Sequence, residues 1–517
     1  MNGSEPLFTY QQSRQLDEIT MALGWTSTQL MGQAALSSFY RLIEHEEFEQ
    51  LIILCGPGNN GGDGFALAWH ILSSAGQKHW GRTSNIRVVR TNKARSEASG
   101  FYESLVEKQL RVQQASEFLL SHSESQSLQN NSSVLIVEAL LGSGQNRPLE
   151  GIFAELGQWI QRQNSKGAYV LSLDVPAGLL EDRPFADTSL FYPSEIHTYG
   201  PLRLACMFDD TLLSRSIYSN PIGFSTDVNS TFSLVRRNAN HLDLFRRQDS
   251  SHKYSNGSGW LLGGSSGMEG ALLLSARCFF ASGGGILQSM SSSPEPLVKF
   301  EPSLMQKNSL QLEKVNAVTV GPGCSRDDAR SYLGEIEKQF QQSETRPFLI
   351  LDAAAAVISP EFPVHGRSTI LTPHPGEWKS LGGSIIQDVA SLKQAMDFAK
   401  SKIGSYVLYK GSTSILLDPF EDRAYLFPWP NASLAVAGTG DCLAGILMSA
   451  LSKSNEMIEA VISSLELLHA CTENRVHPRS SRFPALIEGT LRRRLLDLQG
   501  QKPGRDATGP FPGSGVH

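Results

Sequence analysis

The stretch AGTGDCLAG, residues 437–445, decides how the region around it folds. Gly438 and Gly440 allow a tight turn, and an apolar run at helical spacing follows them: Leu443, Ile446, Leu447 and Leu451. The pattern predicts a glycine turn that opens a helix. The N-terminus of a helix binds anions such as phosphate through its unpaired N–H groups. Asp441 lies in this turn, either as a base that acts on a hydroxyl beside a transferred phosphate or as a solvated N-cap.

The length and composition of the chain indicate a globular protein with more than one core. For 517 residues we expect about two or three domains. The net charge is −6 and Arg492–Arg494 is the only basic block, so we expect no nucleic-acid partner. The chain has no signal-like start and no apolar run of membrane-spanning length, which predicts a cytoplasmic protein. The six cysteines lack metal-binding spacing and are expected to be buried thiols.

The first half of the chain contains strands that end in glycine-rich loops. Residues 13–23 and 28–43 predict two helices, and LIILCGPGNNGGDGFALAWHIL at 51–72 predicts a strand, a loop and a helix. That unit is typical of a doubly wound parallel sheet. The loop has neither GxGxxG nor a Lys-Ser/Thr pair after its glycines, which excludes a dinucleotide fingerprint and a P-loop. Five glycines and three Asx residues within nine positions favour a ligand-binding loop over a plain turn.

Two later predicted strands also end in loops that carry polar and glycine residues. VLIVEALLGSGQNRPLEG at 134–151 passes through Glu138 into a glycine loop, and YVLSLDVPAGL at 169–179 ends its strand at Asp174. For Asp174 a structural role, in which it holds loop N–H groups, and a functional role are equally open.

In this order, GPGNNGGDG, EALLGSG and LDVPAG resemble the NAD(P)H-hydrate epimerase domain, a Rossmann-like fold, over roughly residues 1–235. The resemblance implies that Asp174 is catalytic and that Asn60 and Glu138 hold a potassium ion. It also implies that a hydrated nicotinamide nucleotide contacts Asn59, Asn60, Gly61, Gly62, Asp63, Gly142, Ser143, Gly144, Gln145, Asn146, Arg147, Pro148 and Asp174.

Three positions depart from the pattern of that family. Glu138 stands where the family usually has Asp, Ala177 where it has a cation-binding Ser, and Arg203 where it has Lys. A longer carboxylate and a missing ligand oxygen act against a hard cation, which needs several oxygens. The sequence therefore leaves open whether this half binds potassium and epimerises its substrate, and a nucleotide-sensing or scaffold role remains an alternative for it.

The second half follows a polar segment at 236–258, which indicates a linker. Residues 259–285, 315–325 and 347–356 then predict three strands, of which the last ends at Asp352. His374 lies between two prolines, where ligand contact and a structural role are both open. Lys410 ends another predicted strand, where it meets either a nucleotide phosphate or solvent.

The motifs HKYSNGSGWLLGGSSGMEGA, VGPG, LTPHPGE, YKGST and AGTGDCLAG together resemble the ribokinase-like NAD(P)H-hydrate dehydratases, over roughly residues 245–495. Ala354 stands where this family favours Asp. The resemblance implies Mg²⁺ as cofactor, ADP or ATP as co-substrate and Asp441 as catalytic base. It implies contacts to the hydrate from Ala271, Gly323, His374 and Asp441, and contacts to the nucleotide from Lys410, Gly411, Ser412, Thr413, Ser414 and Gly440.

Together the halves resemble the bifunctional NAD(P)H-hydrate repair enzymes. We expect an α/β protein with a Rossmann-like epimerase domain at 1–235, a linker at 236–258, a ribokinase-like α/β/α dehydratase domain at 259–498 and a disordered tail at 499–517. The implied function is epimerisation of R and S NAD(P)H hydrate and dehydration of the S form, with ADP converted to AMP and phosphate.

The alternative is a vitamin or sugar kinase of the same superfamily with a non-catalytic N-terminal nucleotide-binding domain. In either case we expect a homo-oligomer that binds small molecules (NADHX or NADPHX, with ADP or ATP) and neither nucleic acid nor membrane.

Overall fold

The computed structural model describes residues 4–45, 48–73, 86–122, 133–223, 229–248, 250–342, 346–473 and 478–500. The chain divides into two compact units. The N-terminal unit holds residues 6–232 together with 387–390, and the C-terminal unit holds the remainder of the described chain. Among the described residues, no helix combines the length and the apolar character that a membrane crossing requires.

The N-terminal unit is built around a parallel sheet. In chain order the strands are β1 (Ser4–Phe8), β2 (Gln50–Cys55), β3 (Ile86–Arg90), β4 (Gln113–Gln114), β5 (Val134–Ala139), β6 (Tyr169–Leu173), β7 (Glu195–Tyr199), β8 (Leu202–Arg203) and β9 (Ser216–Asn220). The sheet has the order β4-β3-β2-β5-β6-β7-β9 and each of its pairings is parallel. Strands β1 and β8 also pair in parallel, Leu7 with Leu202 and Phe8 with Arg203. Because the sheet is parallel, the carboxyl ends of its strands meet at one edge.

Helices cover both faces of this sheet. They are α1 (Tyr10–Ala22), α2 (Ser27–Leu42), α3 (Asn59–Leu72), α4 (Glu97–Glu107), α5 (Ala115–Ser121), α6 (Ile152–Asn164) and α7 (Asp210–Leu213). The two predicted N-terminal helices are confirmed, and each begins with a capping box, Thr9 with Gln12 and Thr26 with Gln29. One apolar cluster packs α2, α3 and α4 on one face, and a second packs α5 and α6 on the other.

The C-terminal unit contains a larger mixed sheet. Its strands are β10 (Phe232–Val235), β11 (Ser258–Leu262), β12 (Ile286–Met290), β13 (Met305–Gln306), β14 (Ala317–Val320), β15 (Phe348–Leu351), β16 (Thr369–Leu371), β17 (Tyr406–Tyr409), β18 (Thr413–Asp418) and β19 (Arg423–Pro428). The order is β13-β12-β11-β14-β15-β16-β17-β18-β19-β10. The pairings from β13 to β17 are parallel, and β17, β18 and β19 are antiparallel neighbours. The N-terminal unit thus has a parallel sheet, and the C-terminal unit has a mixed sheet with a parallel part. Both are α/β units, which confirms the predicted fold class.

A large apolar cluster packs helices of the C-terminal unit against this sheet. The helices of this unit are α8 (Glu269–Ala281), α9 (Arg326–Gln342), α10 (Ala353–Ile358), α11 (Pro375–Ser380), α12 (Val389–Phe398), α13 (Thr439–Leu451), α14 (Met457–Thr472) and α15 (Phe483–Gly500). The cluster draws on α8, α13, α14 and α15. Helices α8 and α13 pack so closely that a Cβ on Gly445 would lie 2.1 Å from the Ser275 carbonyl oxygen. Glycine is therefore required at this helix crossing.

The segment predicted as a linker, 236–258, folds as part of the C-terminal unit where it is described. A 3₁₀-helix at Ala239–Phe245 buries Leu242 and Phe245 in the unit's apolar cluster, and Arg237 forms an ion pair with buried Glu466. The predicted disordered tail lies outside the described residues, apart from 499–500 at the end of α15. All six cysteines are buried and free, as predicted.

Candidate functional site

The glycine-rich segment of the N-terminal unit lies at the carboxyl edge of its sheet. Residues Asn59 to Asp63, predicted as a loop, form the first turn of α3 after an N-cap at Gly58. A Cβ on Gly56 would lie 1.8 Å from the Leu140 carbonyl oxygen, and one on Gly61 would lie 1.9 Å from the Gly56 carbonyl oxygen. The glycines therefore let the loops after β2 and β5 approach each other beside the helix N-terminus.

Asp174 is the centre of this site. It follows β6 with a φ of 61°, a left-handed conformation that costs a non-glycine residue free energy. Its carboxylate accepts a hydrogen bond from the Ser143 N–H at 2.7 Å and pairs with Arg203 at 2.9 Å. A Cβ on Gly142 would lie 2.7 Å from Asp174 Oδ2 and 3.1 Å from the Asn60 Cβ. The structure thus brings the three predicted segments together around one carboxylate.

Two more carboxyl groups are close enough to Asp174 for its charge to raise their pKa values. Burial, together with the charges of Asp174 and Asp17, raises the pKa of Asp63 well above its ordinary value. Burial raises the pKa of Asp17, on α1, to about 6 even though the Arg203 charge lowers it. Asp17 could not be recognised from the sequence, because an aspartate in an amphipathic helix gives no signal of its own. The site therefore contains carboxyl groups that hold a proton more tightly than an exposed aspartate does.

Glu138 and Asn60 are the predicted potassium ligands. Glu138 is fully buried, and its carboxylate accepts hydrogen bonds from the Leu140 N–H at 2.8 Å, the Ser172 hydroxyl at 2.8 Å and the Ala177 N–H at 3.2 Å. Burial raises the pKa of Glu138 to about 7. Asn60 is buried, and among the described residues neither polar atom of its amide has a hydrogen-bond partner.

The remaining predicted residues of this half differ in their surroundings. Gln145 is buried and braces the loop after β6, because its amide donates to the Pro176 carbonyl oxygen and accepts from the Gly178 N–H. Pro148 is half-buried, and Gly144, Asn146 and Arg147 are exposed. Gln145 therefore positions the loop, while its neighbours remain accessible to a ligand.

In the C-terminal unit, chemically active residues follow the parallel strands at one edge. Residues after β11, β14, β15, β16 and β17 meet there, because the carboxyl ends of parallel strands share an edge. Asp352 follows β15 and Lys410 follows β17. The Lys410 Nζ donates to Asp352 Oδ1 at 2.7 Å, and the Thr372 hydroxyl, after β16, donates to the same oxygen at 2.7 Å.

The ion pair is largely buried, with 5% of the Asp352 side chain and 20% of the Lys410 side chain exposed. Burial alone would raise the pKa of Asp352, but the charge and hydrogen bond of Lys410 hold it below its ordinary value. Asp352 also begins α10, and the next residue, Ala353, has a φ of 49°. This left-handed alanine marks the strand end as a strained site.

Asp441 lies in the first turn of α13, as the sequence predicted. Gly438 has a φ of 91° and begins the helix, and the Ser275 hydroxyl donates to the Asp441 carbonyl oxygen at 2.7 Å. Burial, followed by the charge of Asp352, raises the pKa of Asp441 to about 6. A Cβ on Gly440 would lie 3.4 Å from the Lys410 Nζ. Asp441, Gly440, Lys410 and Asp352 therefore form one cluster.

The other predicted residues of this half surround the cluster. Gly323, with a φ of 62°, lies against α8, where a Cβ would stand 3.1 Å from the Ala271 Cβ. The His374 Nδ1 accepts from the Gly376 N–H at 3.0 Å and caps α11, so one ring nitrogen has a structural role while the side chain remains 57% exposed. Between β17 and β18, Gly411 and Ser412 are exposed, Thr413 is buried, and Ser414 is half-buried.

Metal ions have no preformed cage in the described part of the chain, since no group of three or more His, Cys, Asp or Glu side chains is placed to hold one. A magnesium ion at the Asp441 cluster would depend on phosphate oxygens and water for most of its ligands, which is its usual mode in nucleotide sites.

Comparisons with known proteins match both units. Residues 27–199 match the family model for the YjeF-related protein N-terminus, and residues 260–486 match the model for NAD(P)H-hydrate dehydratase. A bifunctional NAD(P)H-hydrate repair enzyme of Coxiella burnetii is 27% identical over 91% of this chain and 94% of its own. One of Thermofilum pendens is 27% identical over 76% of this chain and 77% of its own. A solved ADP/ATP-dependent NAD(P)H-hydrate dehydratase of Bacillus subtilis is 23% identical, covers 49% of this chain and 97% of its own, and gives a TM-score of 0.41.

Proposed function

Because this chain belongs to the family of bifunctional NAD(P)H-hydrate repair enzymes, we propose that it restores NAD(P)H from its hydrates at two sites. The Asp174 cluster interconverts the R and S hydrates, and the Asp441 cluster dehydrates the S form with ADP or ATP as co-substrate. The observation that carries the proposal is the placement of Asp441 and Lys410 together at the glycine turn of α13.

Dehydration begins at the ring hydroxyl, a poor leaving group. The Asp441 carboxylate removes the hydroxyl proton, and the oxygen attacks the terminal phosphorus of the nucleotide, so that an O–P bond forms as the bond to the leaving nucleotide breaks. With ADP the leaving nucleotide is AMP. Phosphate then departs from the ring carbon with the C–O bonding pair, and loss of a proton from the neighbouring carbon restores the double bond.

The elements around Asp441 stabilise the charge that develops during transfer. The N–H groups of the first turn of α13 point toward an incoming phosphate. The Lys410 ammonium lies beside Gly440 in the same turn, and its ion pair with Asp352 fixes its position. Mg²⁺, when bound with the nucleotide, neutralises phosphate charge. The helix N–H groups and Lys410 thus bind the transferred phosphate, while Asp441 accepts the proton of the substrate hydroxyl.

Epimerisation needs a group that gives and a group that takes a proton, since the hydroxyl must leave one face of the ring and return on the other. Asp174 lies beside Asp63 and Asp17, whose pKa values are raised above the ordinary value chiefly by burial, so that these carboxyl groups can exchange protons with a substrate. Potassium fits part of this site. The Asn60 amide oxygen is unpartnered among the described residues, but the Glu138 oxygens already accept hydrogen bonds and residue 177 carries a methyl group.

Potassium dependence tests that part of the proposal. The variant Glu138→Asp combined with Ala177→Ser is expected to increase the potassium affinity of epimerisation by about tenfold, because it supplies the missing oxygen and relaxes a crowded carboxylate. R-to-S conversion is followed as a function of KCl concentration, with Ala154→Ser as the control. An unchanged potassium response would show that the cation site is absent.

The pH dependence of dehydration follows from the Asp441 carboxyl. Because burial raises its pKa to about 6, Asp441 is protonated below that pH and cannot accept a proton, so kcat is expected to fall as the pH drops through about 6. Asp352→Asn removes a charge that raises this pKa, and it should move the acid limb to lower pH. A shift to higher pH, or no acid limb down to pH 4, would contradict the assignment.

Analysis of the reaction products distinguishes the dehydratase from the alternative, a vitamin or sugar kinase. Purified protein is incubated with nucleotide and Mg²⁺ and with either S NADPH hydrate or hydroxymethylpyrimidine. We expect free phosphate and NADPH in equal amounts from the hydrate, and no phosphorylated pyrimidine. A stable phosphorylated pyrimidine without NADPH recovery would overturn the dehydratase assignment.

A further inference from the structure

The C-terminal unit contains a second cavity away from the Asp441 cluster. Its volume is about 350 Å³, and it lies between the 3₁₀-helix at Ala239–Phe245, the C-terminal end of α8 and helix α15. Ala271, which lies beside the Asp441 cluster, is at the opposite, N-terminal end of α8. The cavity is therefore separate from the nucleotide site, and its size is at the lower end of the range for small-molecule sites.

The floor of this cavity is apolar. Leu242 and Phe245 are buried beneath it, Phe280 comes from α8, and Leu491 and Leu495 come from α15. Leu495 keeps 39% of its surface exposed at the mouth. An apolar body entering here would remove these side chains from water, which is favourable in proportion to the buried area.

The lining of the cavity carries an excess of positive charge, with four arginines against the two acidic residues Asp243 and Glu488. Arg247 donates to the Gly283 and Gly284 carbonyl oxygens, and Arg494 is paired with Asp243. In the part of the chain that the structure describes, Arg246 and Arg492 form no ion pair with an acidic side chain, although both line the cavity. Two guanidinium groups are thus available to an anion.

A half-buried lysine, Lys453, packs against two of the residues that line the cavity. The Lys453 Nζ donates to the Ser282 carbonyl oxygen at 2.9 Å and lies 5.6 Å from the ring centroid of Phe245. A Cβ on Gly283, a lining residue, would be 2.8 Å from the same nitrogen. Burial, followed by the charge of Arg247, lowers the pKa of Lys453 to about 7.

We propose that this cavity binds a small amphipathic anion, one carboxylate or phosphate group on an apolar chain. The anion lies between Arg246 and Arg492, which bind such groups in a bidentate manner. The chain covers Phe245, Leu491 and Leu495. Both a fatty acid and an alkyl phosphate present this chemistry.

Calorimetric titration of the full-length protein tests this inference with decanoate and decyl phosphate as probes, each below its micelle-forming concentration. We expect saturable binding of at least one anion, weakened about tenfold by the double variant Arg246→Gln with Arg492→Gln and by Leu495→Gln. Arg493→Gln on the same helix is the matched control. Decanoate binding alone identifies a fatty acid as ligand class, and decyl phosphate binding alone identifies an alkyl phosphate.

Because an anion raises the pKa of Lys453, binding at pH 8 should take up protons, and this uptake is measured as a dependence of the binding heat on the buffer.

The inference would be overturned if neither anion bound, or if decanol bound as tightly as the two anions. It would also be overturned if Arg493→Gln weakened binding as much as the double variant does, or if saturating ADP abolished binding. The experiment does not depend on the repair activity, because it measures binding in the absence of hydrate.

Discussion

Replacement of Asp441 by asparagine is expected to lower the rate of hydrate dehydration by about 10²–10⁴-fold, the usual effect of removing a general base. Asparagine keeps the size of the side chain in the first turn of α13 but cannot accept the hydroxyl proton. The proposed nucleotide contacts from Gly440 and Lys410 are unchanged in this variant, so KM for ADP or ATP should change little. The measurement is kcat and KM for S NADPH hydrate at pH 8, where the wild-type carboxylate is ionised.

Two comparisons make this test specific. Asp327→Asn changes a fully exposed carboxylate on α9 of the same unit, and it should leave turnover unaltered. Equal thermal stability of wild type and Asp441→Asn would exclude a folding defect. Turnover of Asp441→Asn within about twofold of the wild type would show that another group is the base.

Replacement of Lys410 by methionine is expected to reduce the free energy of unfolding of the C-terminal unit by about 3–5 kcal/mol, because Asp352 would keep a buried charge without its partner. The same change removes the cation beside Gly440, so KM for the nucleotide should rise. Urea unfolding and steady-state kinetics measure the two effects separately.

The double variant Lys410→Met with Asp352→Asn separates stability from function. Removing the orphaned charge should restore most of the lost stability while KM for the nucleotide stays high. Lys402→Met, at an exposed position, is the control. A loss of stability below about 1 kcal/mol in Lys410→Met would contradict a buried, energetically coupled pair.

The sequence predicts the elements well where periodicity and glycine turns coincide. Asp352, His374, Lys410 and Asp441 were each assigned to a strand end or a helix start, and the structure places them there. The ion pair between Lys410 and Asp352 could not be predicted, because it depends on the order of β15, β16 and β17, which no local pattern specifies.

Other features depend on packing that sequence patterns do not encode. The charges of Asp174 and Arg203 act on Asp17 across the fold, and Gln145 turns inward to hold the loop after β6. Residues 236–258 have the polarity of a linker, yet Leu242 and Phe245 give the segment enough apolar surface to join the C-terminal core. Gly56 and Gly61 indicate a ligand-binding loop in the sequence. In the structure both positions also require glycine, because a Cβ there would overlap a backbone carbonyl oxygen.

Recovery of NADPH from a mixture of its R and S hydrates tests the two-site function most directly. Purified protein is supplied with Mg²⁺ and with ADP or ATP, and NADPH absorbance is followed to completion. We expect the S fraction to be recovered promptly and the R fraction faster than it isomerises unaided. Recovery of the S fraction alone would contradict epimerisation at the Asp174 cluster, and recovery of neither fraction with either nucleotide would contradict the proposed function.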